Sequence, residues 1–299
     1  MPDLDSVVDQ LPNLVLPTLG GKQIWGDVFL YGDYRIQECV LTRHHRLLGP
    51  GDLRLAWGSF SHCHDAFLRA QWRRNVELRS DHLVLLLHGI FRSKDSFGPM
   101  TRALRRAGYE AQAVNYPSTR RSIQSHADQV EMLLDRVEDV RHVSFVTHSM
   151  GGMVAREVLS RSAAWRDRVE VNRLVMIGTP NRGARMAGEV VRRVPGFDQV
   201  AGPALQQLLP ENVSQFGIPD IPFGVVAGVR GDGGGYNPFL EGDDDMTVSL
   251  ASALLDEAED TLVLPAVHTF IMVHPKVVRA TQTYLETGRF VGDTQVSAR

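Results

Sequence analysis

The chain has 299 residues and a formal charge of -3, from 32 Lys plus Arg against 35 Asp plus Glu, with 43% hydrophobic and 22% charged residues. At roughly 100–200 residues per domain, this is one large domain or two small ones. The composition is that of an ordinary globular protein, and the near-neutral charge speaks against a general nucleic-acid binder.

In chain order, the N-terminus Met1-Pro2-Asp3-Leu4-Asp5 is acidic and lacks the basic region and apolar core of a signal peptide, so a cytoplasmic location is expected. Gly20-Gly21 and Pro50-Gly51 read as turns, and Ile24 to Val40 is strand-like. A helix is expected between Asp65 and Arg79. Cys39 and Cys63 are the two cysteines, too few for a disulfide scaffold; two thiols or one bridge remain open. The run Leu83 to Leu87 reads as a strand buried on both faces and is far short of the about 20 residues that span a membrane.

A helix over about Ser96–Ala107 ends at Gly108, and Tyr109–Asn115 is the next strand. Ser122 to Val140 is amphipathic and helical. The strand His142–Thr147 runs into Gly151-Gly152 and a helix to about Ala164. Strands follow at Arg173–Ile177, Phe223–Val229 and Thr261–Leu264, and a last helix at about Pro275–Glu286. This alternation predicts an α/β protein with a mostly parallel central sheet flanked by helices. Residues 1–80 are expected to join that sheet, giving a single domain over 1–299. The segment Gly183–Pro219 carries Val190, Val191, Val194, Leu205, Leu208 and Leu209 among polar residues. It reads as inserted short helices, taken here as a cap or lid, the alternative being a helix on the sheet edge.

The most informative stretch is Val143-Ser144-Phe145-Val146-Thr147-His148-Ser149-Met150-Gly151-Gly152. A β-branched strand running into a serine, then two glycines and a helix, is the setting of a nucleophile elbow. A helix-capping serine is the plain alternative, but two early glycines cost a helix roughly 1 kcal/mol each. A serine hydroxyl needs a base. His268, just after the last strand, is the candidate, with His274 as competitor at a helix entry. The acid is sought in Glu241-Gly242-Asp243-Asp244-Asp245-Met246-Thr247-Val248. Asp245 is chosen, with Asp244, Asp243 and Asp232 as alternatives. Three successive acids could also be a solvated loop or a cation site. Backbone N–H groups of Met150 and Ile90 are candidate oxyanion donors, with Phe91 next after Ile90. Phe91 and His148 are the candidate substrate contacts, and His88 a loop brace. His62-Cys63-His64 could put two imidazoles on one face of a strand, but a metal needs more ligands at fixed spacing, and none is assigned.

His88-Gly89-Ile90, Thr147-His148-Ser149-Met150-Gly151-Gly152, Gly178-Thr179-Pro180-Asn181-Arg182-Gly183 and the late His268 together resemble the α/β-hydrolase superfamily, and within it bacterial lipase- and esterase-like serine hydrolases. The similarity runs over about residues 81–290. It implies a Ser149, Asp245 and His268 triad, donors at Ile90 and Met150, no cofactor, and an ester or acyl-lipid substrate. Two departures stand out: Thr147 where glycine is usual, and Met246 where glycine often follows the acid. An acyltransferase or thioesterase would use the same triad, and a non-catalytic ligand-binding scaffold would keep the fold alone.

Overall fold

A computed structural model describes residues 23–186, 188, 193 and 201–290. The chain begins with four strands, β1 (Trp25–Tyr31), β2 (Tyr34–Cys39), β3 (His45–Gly49) and β4 (Leu53–Gly58), in an antiparallel sheet of that order. Helix α1 (Phe60–Arg74) starts where the Ser59 hydroxyl accepts the His62 N–H and stops at Asn75, whose φ of 46° ends the helical bonding. Those two caps move the helix five residues ahead of the expected Asp65–Arg79. It buries Cys63 and Phe67. The Phe67 ring lies 4.9–5.7 Å from those of Phe29, Tyr31 and Tyr34, which closes a small core.

The central sheet has six parallel strands in the order β10-β9-β8-β7-β5-β6. These are β5 (His82–Leu87), β6 (Glu110–Val114), β7 (His142–His148), β8 (Glu170–Ile177), β9 (Phe223–Val229) and β10 (Asp260–Pro265). Side chains alternate along each strand. Leu83, Leu85 and Leu87 therefore enter one core with Ile123, Val130 and Leu133 of α3 (Ile123–Arg136) and Met153 and Val154 of α4 (Met150–Leu159). Val84 and Leu86 enter the other, under Met100 and Leu104 of α2 (Gly98–Arg106). The last helix (Pro275–Thr287) covers that second face with Val277, Ala280 and Tyr284. From β5 the chain passes to β6 on one side and then to β7 on the other. The switch point thus lies between β5 and β7, whose carboxyl ends are where sites form in such sheets.

Residues 23–80, the described part of the first 80, do not join this sheet as expected. Among the described residues, strands β1–β4 form a sheet of their own that covers the β6 edge, mostly through side chains. Gln112 Nε2 donates to the Gly32 carbonyl, Arg35 to Ala113 O at 3.2 Å, and Asp27 N–H to Asn115 O at 2.8 Å. The key group is Asp27, fully buried, whose carboxylate accepts from Arg35 (2.7 Å), Gln37 (2.8 Å) and Asn115 N–H (2.7 Å). A buried carboxylate needs those partners, and side chains with a single backbone bond, rather than a backbone ladder, satisfy the edge.

Two helices are shorter than expected: α3 stops at Arg136 because Val137 is extended, and α4 at Leu159, followed by a 3-10 turn at Ala164–Asp167. In the segment after Gly183, Val190, Val191 and Val194 lie outside the described residues, as do Gly20-Gly21 and the N-terminal pentapeptide. The described remainder holds α5 (Pro203–Gln207), and Ala204, Leu208, Val213 and Phe216 pack into the core beside α3 and α4. Arg156 of α4 clamps this stretch, donating to Gly217 O at 2.8 Å and Asn181 O at 3.2 Å. No disulfide joins Cys39 and Cys63, and both are buried. Among the described residues no helix is long and apolar enough to cross a membrane.

Candidate active site

Ser149 stands at the carboxyl end of β7 with φ 54° and ψ -125°, a backbone conformation that is costly for a residue with a Cβ. The packing around it holds that conformation. Ser149 N–H donates to Ile177 O of β8 at 2.9 Å. A Cβ on Gly151 would run into the Leu87 carbonyl of β5, and one on Gly152 into the Thr179 side chain. One on Gly89 would lie 2.9 Å from the Ser149 Cβ. The loop after β5 and the start of α4 can meet the serine this closely because these positions are glycine. Thr147 fits where glycine is usual because its hydroxyl bonds sideways, donating to Val175 O at 3.2 Å. Met150 is the first residue of α4, so its N–H has no partner within the helix, and the helix N-terminus favours negative charge there.

His268 follows β10. Its N–H donates to Asp245 O at 2.8 Å, and its Nδ1 lies 2.7 Å from Asp245 Oδ2. The other carboxylate oxygen of Asp245 accepts Thr247 N–H (3.0 Å) and Val248 N–H (2.8 Å). The carboxylate is 1% exposed and fully engaged. Gly178, φ 57°, passes against this pair: a Cβ there would come within 3.2 Å of His268 Nδ1 and 3.3 Å of Asp245 Oδ2. The sequence offered Gly178 as part of a motif; its closeness to the pair becomes visible once β8 and β9 are aligned.

The three successive acids separate cleanly. Asp243 accepts backbone N–H groups of Arg230, Gly231, Gly233 and Asp244. Burial pushes its carboxyl up, but those N–H bonds outweigh it and hold it below the usual range. Asp244 is fully buried and accepts from Asn237 N–H and Met246 N–H. Only Asp245 of the three reaches a histidine. Asp232 pairs with Arg230 at 2.9 Å. Met246 takes φ 87° itself, the conformation a glycine would take freely. It is held by its N–H on Asp244 (2.6 Å) and by Asn237 Nδ2 on its carbonyl (2.9 Å).

Histidines divide by burial. His88 is fully buried, donates Nδ1–H to Gly89 O at 2.9 Å and stacks on Tyr116 with ring centroids 4.0 Å apart; Tyr116 O–H donates to the His88 carbonyl. Burial pushes its pKa down to about 4, so it is a neutral brace for the Gly89 turn. His148, expected to touch substrate, is 2% exposed instead. Its Nε2–H donates to His268 O at 3.0 Å, and burial holds it far below the ordinary histidine value. So enclosed, the ring braces the loop that carries His268. His274 caps the last helix, accepting Lys276 N–H at 3.3 Å. His62-Cys63-His64 lies on α1 rather than a strand, so its two rings point about 200° apart. Among the described residues no group of three or more His, Cys, Asp or Glu could hold a metal ion. Phe91, the other expected contact, has φ 60° and is 49% exposed beside the turn; Ile90 packs on the core below it.

This architecture is the α/β-hydrolase fold of bacterial lipases and esterases. The Bacillus licheniformis lipase BlEst2 in its propeptide form superimposes with a TM-score of 0.57 at 18% identity, over 72% of this chain and 52% of that one. The chain thus spans about half the length of that form. The mature lipase gives 0.53 at 18% identity, covering 68% and 90%. A metagenomic carboxyl esterase gives 0.51 at 16% identity, covering 69% and 76%. Residues 53–193 match a family described as a domain of unknown function, DUF7379. No curated protein sequence matches the chain.

Proposed function

We propose that the protein is a serine hydrolase of carboxylic esters. The observation that carries this reading is the 2.7 Å Asp245–His268 pair at the same sheet edge as a serine with φ 54°. Ser149 Oγ attacks the ester carbonyl while His268 Nε2 takes its proton. The oxyanion is received by the N–H groups of Ile90 and Met150, each donor being worth roughly 3–4 kcal/mol in such sites. His268 then returns the proton to the leaving alcohol. A water activated by the same nitrogen attacks the acyl-enzyme and releases the acid. Asp245 keeps Nδ1 protonated and stabilises the imidazolium. The residues supply the whole reaction without a cofactor. Phe91 lines the entrance, the described residues 201–219 shape the acyl side, and the protein works in the cytoplasm as a single domain.

The test is hydrolysis of p-nitrophenyl esters from short to long acyl chains by the native protein and Ser149→Ala, with fluorophosphonate labelling. Turnover and labelling that vanish together in the variant are expected. Acyl transfer to an added alcohol in excess of hydrolysis would move the reading to an acyltransferase, and faster cleavage of thioesters to a thioesterase. Neither turnover nor labelling in the native protein would leave the fold as a ligand-binding scaffold.

A further inference from the structure

The rim of the site joins two chemistries. Four large apolar side chains are exposed there: Phe91 beside the Gly89 turn, Met246 next to Asp245, Phe270 two residues after His268, and Phe239 at 61% exposure with the Arg193 guanidinium 4.9 Å over its ring. Phe239 belongs to the loop that Asn237 ties to Met246. Between Phe91 and Phe270 lies one cation. Arg92 follows Phe91, and its guanidinium rests on Thr269 O at 3.4 Å, on the loop that carries His268. Its backbone is fixed from both sides, N–H to Gly89 O at 3.2 Å and carbonyl from Gln23 Nε2 at 2.8 Å. Among the described residues no carboxylate pairs with it. The guanidinium is near enough to His148 to disfavour a proton there.

We infer that the site selects apolar acyl esters of a small alcohol carrying an anionic group, phosphate or carboxylate, which Arg92 binds. This rests on the hydrolase reading above. The assignment to the alcohol follows from the reaction. His268 must reach the leaving oxygen, so the alcohol lies along the 268–270 loop, and Arg92 is anchored on that loop. One guanidinium N–H is used by Thr269; among the described residues no side chain takes the others, which leaves them for charge-assisted bonds, about twice as strong as neutral ones. The apolar rim takes the acyl chain away from water. A neutral alcohol would leave the half-buried cation without a counter-charge.

The experiment compares octanoyl esters of glycerol, glycerol 3-phosphate and glycerate by release of octanoic acid. A preference in kcat/KM of about tenfold or more is expected for at least one anionic ester over the neutral one, shrinking in 0.5 M salt (about 4 Å Debye length). The larger of the two anionic preferences identifies the anion. In Arg92→Gln the anionic-to-neutral ratio falls to about one, and in Arg92→Lys part of it returns. A ratio near one in the native protein, or an unchanged ratio in Arg92→Gln, overturns the inference while leaving the hydrolase reading intact. Release from none of the three esters, with no labelling of Ser149, overturns both.

Discussion

Asp245→Asn is the sharpest perturbation of the proposed chemistry, because the structure dictates how the amide must sit. Oδ1 of Asp245 accepts two backbone N–H groups, from Thr247 and Val248, at 3.0 and 2.8 Å. In the variant the amide oxygen must keep that position, since an NH2 there would face two donors. The NH2 therefore points at His268 Nδ1, which has to become an acceptor. The imidazole proton moves to Nε2, and the base can no longer take a proton from Ser149. The loss expected from this tautomer change is roughly 10⁴-fold in kcat, about 5.5 kcal/mol of barrier. The assay is turnover of a short p-nitrophenyl ester, with Asp244→Asn alongside. Asp244 serves only backbone N–H groups, so its variant loses about 1–3 kcal/mol of stability and keeps kcat within about tenfold. Asp245→Asn retaining more than a tenth of the native kcat, or Asp244→Asn losing as much as its neighbour, would refute the argument.

Asp27→Ala leaves the Arg35 guanidinium, 12% exposed, without its carboxylate. Loss of a buried partner costs about 3–5 kcal/mol, read as a fall in Tm of roughly 10 °C and faster amide exchange at Gln112–Asn115; a Tm within about 2 °C of native would count against it. Stability should also decline in acid. Burial lowers the folded-state pKa of His88 to about 4 and of His126 to about 3, below the unfolded value of 6.5. The unfolded chain therefore binds protons that the folded one refuses. The stabilisation is complete above about pH 6.5 and is lost as pH falls towards those folded values. Between pH 7 and pH 5 the loss is about 2 kcal/mol per ring. Urea titrations at the two pH values check this, with His126→Gln reducing the difference by about 2 kcal/mol; equal midpoints for native protein and variant at both would be the contrary result.

The legible parts of the fold are those whose signal is local. Leu83 to Leu87 is continuously apolar because both faces of β5 are covered, and the elbow announces itself by small residues that close packing demands. The attachment of the N-terminal sheet is not legible because it depends on partners far away in sequence. Asp27 looks like a polar strand residue until Arg35, Gln37 and Asn115 surround it. Helix α1 slid by five residues because Ser59 and Asn75 decide its ends, while periodicity alone gives only a face. His148 shows the limit at the site. Adjacency to Ser149 suggests a contact with substrate, whereas its bond to the His268 carbonyl depends on a loop 120 residues downstream that no local pattern reveals. The order of acid and histidine in the chain narrowed the acid to one loop. The separate work of Asp243, Asp244 and Asp245 rests on individual N–H bonds that no spacing encodes.

The buried Asp27 also imposes an order of events on biosynthesis. Its carbonyl receives Gln129, 102 residues downstream, and its carboxylate receives Asn115, 88 residues downstream. At roughly 5–20 residues per second, about 5–20 s separate the emergence of Asp27 from that of Gln129. Over that interval the carboxylate must stay hydrated, so the first sheet cannot finish docking ahead of β6 and α3. A ribosome that stalls before residue 115 leaves a nascent chain whose first sheet stays open to proteases.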